Sequence, residues 1–184
     1  NQVATALKSV DPTIQVGGPY IPMDSWSSTR FSNPSAVQGP WGVLDQRALD
    51  ALDYWLAHAT VADFVAVDGS TATRDKGVIG DPVAATAKFA DVTAAIRART
   101  NLPVWWSEVH VRFTGTPSTA TTVAATRAAI AALDSSGAAV ALFWAPQNDG
   151  TPCATCLWTA TDRSDGGRPT ALMGGIADLL TSHR

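Results

Sequence analysis

Two hydrophobic periodicities alternate along the chain. Short apolar runs cover residues 13–16, 63–67, 102–108 and 138–143. Between them, apolar residues recur at helical spacing over residues 1–10, 45–59, 81–99, 119–133 and 170–182. Runs of four to eight apolar residues are typical of buried strands, and the longer segments are typical of amphipathic helices. The pattern therefore predicts a helix followed by four strand–helix units.

The connections support a parallel sheet. Long loops, 21–42, 111–118 and 147–168, follow strands, whereas the connections after helices are short. Alternating strands and helices favour parallel pairing. Runs such as Phe64-Val65-Ala66-Val67 are apolar on both faces, as in sheets that are covered on both sides. Two α/β architectures fit: a doubly wound sheet of four or five strands, or a (β/α)8 TIM barrel to which this chain supplies roughly strands 5–8.

Length and composition indicate one globular segment, residues 1–184. Hydrophobic residues make up 46% of the 184 positions and charged residues 16%, which argues against disorder. The net charge is −3 and no basic cluster is present, so nucleic acid and an anionic membrane surface are not expected partners. No apolar run approaches the roughly 20 residues that a membrane-spanning helix needs.

Both cysteines lie in one loop, as Cys153 and Cys156. A zinc site needs about four ligands, and no second cysteine pair or nearby histidine is available. We favour a small loop disulfide in a secreted protein, with free thiols and redox chemistry as the alternatives.

Candidate functional side chains follow each predicted strand. They are Tyr20 after Gly17-Gly18-Pro19, Asp68, Glu108 with His110, and Trp144 with Gln147 and Asn148. The carboxyl ends of parallel strands gather at one edge of the sheet, so we expect these side chains to lie together. Regular alternation along the third strand places Trp106 and Glu108 on one face and Trp105 on the other, in the core.

Glu108 is the only glutamate among sixteen acidic residues, and it stands where an apolar run ends. Carboxylates, a histidine, amides and aromatic rings around one mouth suit sugar recognition, because rings stack on pyranose faces while polar groups bind hydroxyls. The alternative is a chance glutamate at a strand end. No metal or organic cofactor is expected.

The other candidates also have structural interpretations. Asp68 either binds a sugar hydroxyl or caps the loop that follows it. His110 either lines the site or bonds to a loop. Tyr20 and Trp26 either form outer sugar subsites or pack as satellite aromatics.

Four motifs follow one another along the chain: Asp11-Pro-Thr-Ile-Gln-Val-Gly-Gly-Pro19, Asp63-Phe-Val-Ala-Val-Asp68, Leu102-Pro-Val-Trp-Trp-Ser-Glu108 and Leu142-Phe-Trp144. In this order they resemble the last four strands of a clan A retaining glycoside hydrolase, and the Val-Gly-Gly-Pro motif most resembles family 39. This resemblance implies that Glu108 is the nucleophile and that Trp144 is the platform under the cleaved sugar.

The resemblance also implies that something is missing. Such enzymes carry the acid/base in an Asn-Glu motif on the fourth strand, and this sequence has no such motif. Residues 1–10 are interpreted as the fourth helix of such a barrel. We therefore expect an upstream half of the barrel to act with this chain on an oligo- or polysaccharide. The alternatives are a non-catalytic carbohydrate-binding barrel and a barrel enzyme for phosphorylated metabolites. A barrel enzyme for phosphorylated metabolites is expected to have a glycine-rich phosphate-binding loop after the last two strands, where this sequence has Glu108 and Trp144.

Overall fold

The structure, a computed structural model, describes residues 1–147, 153–164 and 166–181. The helices are α1 Gln2–Val10, α2 Gln46–His58, α3 Pro82–Ala85, α4 Ala87–Arg97, α5 Thr119–Ser135 and α6 Ala171–Thr181. The strands are β1 Gly17–Pro22, β2 Ser25–Trp26, β3 Pro34–Gly39, β4 Gly42–Asp45, β5 Phe64–Ser70, β6 Val104–His110 and β7 Val140–Phe143. None of these helices is both long and apolar enough to cross a membrane.

Four strands form a parallel sheet in the order β1-β5-β6-β7. The predicted α/β class and parallel pairing are therefore confirmed. A doubly wound sheet reverses its strand order at a switch point. The four strands follow one another in chain order, so the doubly wound alternative does not describe this sheet.

The core lies between one face of this sheet and helices α2, α4 and α5. Its fully buried members include Val65 and Val67 on β5, Trp106 on β6 and Phe89 on α4. The Trp106 ring meets Phe89 edge-on at 5.1 Å, and its indole Nε1 donates to the buried Thr93 hydroxyl at 2.9 Å. The indole therefore packs without leaving its N–H unpaired.

A second, antiparallel sheet in the order β2-β4-β3 occupies the segment that the sequence predicted to be a loop, 21–42. That prediction was wrong because its scattered apolar residues, Met23 and Trp41, are fully buried. The Trp41 indole donates to Asp91 on α4 at 2.7 Å, which ties the small sheet to the helical layer. Trp26 stacks on Phe31 at 5.0 Å, in agreement with its interpretation as satellite packing.

The first strand begins later than predicted. Residues 13–16 are not a strand, because the Asp11 carboxylate accepts hydrogen bonds from the Thr13 amide and hydroxyl and holds a turn. Gly17 and Gly18 lie within β1. A Cβ on Gly17 would come within 2.3 Å of the Phe64 ring, so this glycine permits close strand packing.

Most of the other predicted helices and strands differ from the observed ones only at their ends. Segment 81–99 is an exception, because it forms two helices, α3 and α4. They are divided at Thr86, whose hydroxyl donates to the Val83 carbonyl at 2.7 Å. Asp81 caps α3, and its carboxylate accepts a hydrogen bond from the Val83 amide. Cys153 and Cys156 form the favoured disulfide.

Helix α2 begins at a charged cap that links three parts of the chain. The buried Asp45 carboxylate accepts hydrogen bonds from the Arg47 backbone amide and guanidinium and from the Trp26 indole. The hydrogen bonds from Arg47 and from Trp26 hold the pKa of Asp45 down at about 2, although burial opposes them. The ionised form is therefore favoured in the folded protein.

We expect Asp45→Asn to lower the free energy of unfolding by about 2 kcal/mol at pH 7, because asparagine still caps the helix but carries no charge. The contribution is complete above the unfolded pKa of 3.8 and is lost as the pH falls toward about 2. Urea unfolding at pH 7 and pH 2.5 measures both values. Asp134→Asn, at an exposed acid of α5, is the control and should change stability little at either pH. An undiminished difference at pH 2.5 contradicts the electrostatic explanation.

Candidate active site

A register shift in β6 places Glu108 at the site. Val67 pairs with Trp106 and Asp68 pairs with Glu108, so β6 has one residue more than β5 over this step. Trp106 and Val109 are both buried against the helical layer, which an unbroken strand cannot achieve at a spacing of three. Glu108 consequently lies on the face away from the helices.

This geometry corrects two predictions. Glu108 does not share a face with Trp106, as regular alternation predicted. Glu108 instead shares a face with Trp105, which was predicted to lie on the opposite face, in the core. The Trp105 ring is half-buried and stacks on Phe64 of the neighbouring strand at 3.9 Å. The alternation of side chains along the sequence gives no sign that Ser107 is an extra residue.

Two side chains hold the Glu108 carboxylate. The Tyr20 hydroxyl donates a hydrogen bond to Oε1, and His110 Nε2 lies 3.1 Å from Oε2. Each oxygen thus faces a polar partner from a different direction, which fixes the plane of the carboxylate. The structure places Tyr20, His110 and Glu108 together, as the sequence predicted.

Tyr20 reaches Glu108 from an irregular point of β1. Its φ is 61°, in the left-handed region that a bulky side chain rarely occupies, and the β1–β5 register shifts between Pro19 and Ile21. Such backbone strain persists only where surrounding contacts impose it and is common at functional sites. Tyr20 therefore lies on a strand, whereas the sequence predicted a loop position.

The pKa shifts around Glu108 follow from these contacts. The hydrogen bond from Tyr20 and, with a smaller effect, that from His110 lower the pKa of Glu108. The same bond raises the pKa of Tyr20 to about 12. Burial first and the Glu108 charge second raise the pKa of Asp68, which pairs with Glu108 across the sheet. One carboxyl is thus stabilised as an anion beside another that ionises less readily.

Arg112 determines which nitrogen of His110 faces Glu108. The Arg112 Nη2 lies 3.3 Å from His110 Nδ1, and a guanidinium can only donate. Nδ1 is then the acceptor, so the proton of the neutral imidazole resides on Nε2 and points at Glu108. We infer this tautomer from the hydrogen bonds. The Arg112 amide is itself fixed by the buried Thr71 hydroxyl at 2.9 Å.

Trp144 stands beside this group, just past the end of β7. Its amide donates to the Val109 carbonyl at 3.1 Å, and its ring lies 5.9 Å from the His110 ring. The side chain is 56% exposed, so its face is open to a ligand. Gln147 instead accepts a hydrogen bond from the Trp158 indole, and Asn148 lies outside the described residues.

Sequence reasoning missed Lys88, which lies beneath the site. Its ammonium is fully buried and donates to the Ser25 hydroxyl at 3.0 Å and the Ser70 carbonyl at 2.8 Å. Burial lowers the pKa of Lys88 to about 7, although Asp24 and Asp68 oppose the shift. A signal was available, because Lys88 occupies an apolar position, between Ala85 and Val92, in the periodicity of the predicted helix 81–99.

Arg112 and Asp24 were also missed. Arg112 follows His110 by two residues, and strand alternation could have placed both on one face. Asp24, whose charge also raises the pKa of Asp68, stands in the segment predicted as a loop and gave no signal. Within residues 1–147, 153–164 and 166–181, no group of three or more His, Cys, Asp or Glu side chains is arranged to hold a metal ion.

No family model and no curated protein matches the sequence. Among solved structures, a glucosidase from Croceicoccus marinus has a TM-score of 0.46 at 19% identity, over 76% of this chain and 26% of its own. A beta-glucosidase from Exiguobacterium marinum has a TM-score of 0.47 at 12% identity, over 98% of this chain and 54% of its own. This chain thus spans about a quarter and about half of those proteins. Likenesses of this size establish neither a family nor an activity.

We expect Tyr20→Phe to raise the pKa of Glu108, since it removes the hydrogen bond that lowers this pKa most. Glu108 is the only glutamate, so carboxyl-13C glutamate labelling gives a single resonance whose pH titration reports it directly. The control is Tyr54→Phe, at the only other tyrosine, which is 68% exposed.

The phenol provides a second measurement. In the unmodified protein, ultraviolet titration should show a tyrosine that ionises near 12, and this step should be absent in Tyr20→Phe. An unchanged Glu108 titration in Tyr20→Phe contradicts the hydrogen bond described here.

Proposed function

We propose that this protein is a glycoside hydrolase, or the catalytic half of one, that cleaves with retention and uses Glu108 as its nucleophile. The observation that carries the proposal is the position of the only glutamate. Its ionised carboxylate faces away from the helical layer, held by Tyr20 and His110 and close to an exposed tryptophan. A fixed carboxylate with a lowered pKa suits nucleophilic attack at neutral pH.

The reaction follows from this placement. A Glu108 oxygen attacks the anomeric carbon as the bond to the leaving oxygen breaks, and an acid protonates that oxygen. Water then attacks the anomeric carbon of the covalent glycosyl–enzyme intermediate and gives its proton to the conjugate base of that acid, while the bond to Glu108 breaks and restores the carboxylate. The Tyr20 hydroxyl and the His110 Nε2–H keep Glu108 ionised and oriented between turnovers.

The remaining predicted residues are assigned to substrate. Trp144 offers an open ring on which a pyranose stacks. Asp68, with its raised pKa, binds a hydroxyl of the same sugar beside Glu108. Asn148 keeps its predicted role in hydroxyl binding.

The acid/base comes from another part of a (β/α)8 barrel in this proposal. The four parallel strands correspond to strands 5–8, and an amino-terminal half supplies the other four with the missing carboxyl. Support comes from β1 and β7, each of which pairs with only one strand of the described sheet. Closing a sheet into a barrel removes such edges. The Cys153–Cys156 disulfide is compatible with secretion into an oxidising compartment.

Covalent trapping tests the nucleophile without needing the acid. A 2-deoxy-2-fluoroglycosyl fluoride forms a covalent glycosyl–enzyme intermediate that hydrolyses slowly. The fluoride at its anomeric carbon leaves without protonation. We expect a panel of such reagents, covering both anomers of the gluco, galacto and xylo series, to add one sugar to the protein. Intact mass detects the adduct, and peptide mapping should locate it on Glu108.

Two variants serve as controls. Glu108→Gln should give no adduct, because an amide oxygen is a poor nucleophile, whereas Asp68→Asn should still be labelled at Glu108. An adduct on another residue excludes Glu108 as nucleophile. Sugar binding without any adduct indicates the alternative, a non-catalytic carbohydrate-binding barrel.

A further inference from the structure

A groove leads away from Trp144 on the side of Glu108 opposite to Asp68. Its first part is a cavity of about 230 Å³ bounded by His110, Trp144 and Thr155. The second part, of about 460 Å³, is bounded by Thr116 and the Cys153–Cys156 disulfide. The two parts share walls formed by Gly115, Pro117, Ala154 and Leu172, so they adjoin.

The lining of the groove combines flat apolar surface with polar side chains. Phe113, Pro117 and Leu157 supply apolar surface, while Thr116 and Thr155 supply hydroxyls. Neither part is lined by an acid, and the first part is lined by one arginine, Arg112. A ligand with apolar faces and a rim of hydroxyls matches this lining, because a guanidinium donates hydrogen bonds to oxygens, and a chain of sugar units has both features.

Size points to more than one unit. Pockets that hold drug-sized ligands have volumes of roughly 300–1,000 Å³. The first cavity falls below this range and the second within it. A ligand that begins on the Trp144 ring can therefore continue into the second part, which a single sugar at Trp144 leaves empty.

The wall formed by the disulfide loop is fixed in place. The disulfide joins Cys153 to Cys156, and the Cys156 side chain is buried. The Thr170 hydroxyl, directly before α6, donates to the Cys156 carbonyl at 2.7 Å. A wall held from two directions is pre-formed, which lowers the entropic cost of binding.

We propose that this groove binds the sugar units that extend beyond Trp144, so that the substrate is an oligosaccharide or polysaccharide chain and the disulfide loop sets how many units are recognised. The inference rests on the proposed function, because it extends the same site. It assigns to loop 111–118 and to the disulfide loop a role in chain-length selectivity.

The test measures binding against chain length in the Glu108→Gln protein, which does not consume its ligand. The probes are cello-, xylo- and laminari-oligosaccharides of two to six units, titrated by calorimetry. We expect affinity for one series to rise by about tenfold or more from the dimer to the hexamer, equivalent to about 1.4 kcal/mol. Adding Thr116→Trp, which fills the second cavity from an exposed loop position, should abolish this rise and leave the dimer affinity unchanged.

The matched control is Ala124→Trp, at an exposed position of α5 outside the groove, which should keep the full length dependence. A second variant, Cys153→Ser with Cys156→Ser, should weaken hexamer binding more than dimer binding. Equal affinities at all lengths, or an equal loss at all lengths in Thr116→Trp, overturn the groove proposal. Binding of no oligosaccharide, the dimers included, overturns the proposed function itself.

Discussion

The candidate site depends on one extra residue in β6. Without it, the spacing of two between Trp106 and Glu108 directs both side chains toward the helices, where burial of a carboxylate in the apolar core is unfavourable. The register shift allows Trp106 and Val109 to fill the core together and leaves Glu108 on the open face. Core packing and site geometry are therefore consequences of the same backbone irregularity.

The carboxylate is also part of a chain of hydrogen bonds that crosses the sheet. It runs from Arg112 through His110 and Glu108 to Tyr20, and so connects the end of β6 with the irregular point of β1. Because arginine only donates, the directions of the two bonds that His110 makes are determined, and the Tyr20 hydroxyl donates to the ionised carboxylate. Glu108 receives hydrogen-bond donors on both oxygens, which explains why its pKa falls. The pKa of Asp68 instead rises, because this carboxyl is buried and lies near the Glu108 charge.

Lys88 supports this arrangement from below. Its buried ammonium joins the Ser70 carbonyl at the end of β5 to Ser25 in the small antiparallel sheet. The second sheet thus closes over one side of the strand ends, while the disulfide loop borders the other side. Between them lie the exposed rings of Tyr20 and Trp144, each about half exposed, at an edge where polar groups also converge.

The amino-acid sequence alone predicts the alternation of helices and strands, the parallel sheet, and the gathering of Tyr20, Asp68, Glu108, His110 and Trp144 at one edge. These features follow from local periodicity and from chain direction. Tertiary packing establishes four further features: the second sheet, the start of β1 at Gly17, the register of β6 and the role of Lys88. Each depends on contacts between residues distant in sequence: Gly17 on Phe64, Trp41 on Asp91, and Glu108 on Tyr20. Periodicity reports the preference of a segment for one face, but the partner that occupies that face is set by packing.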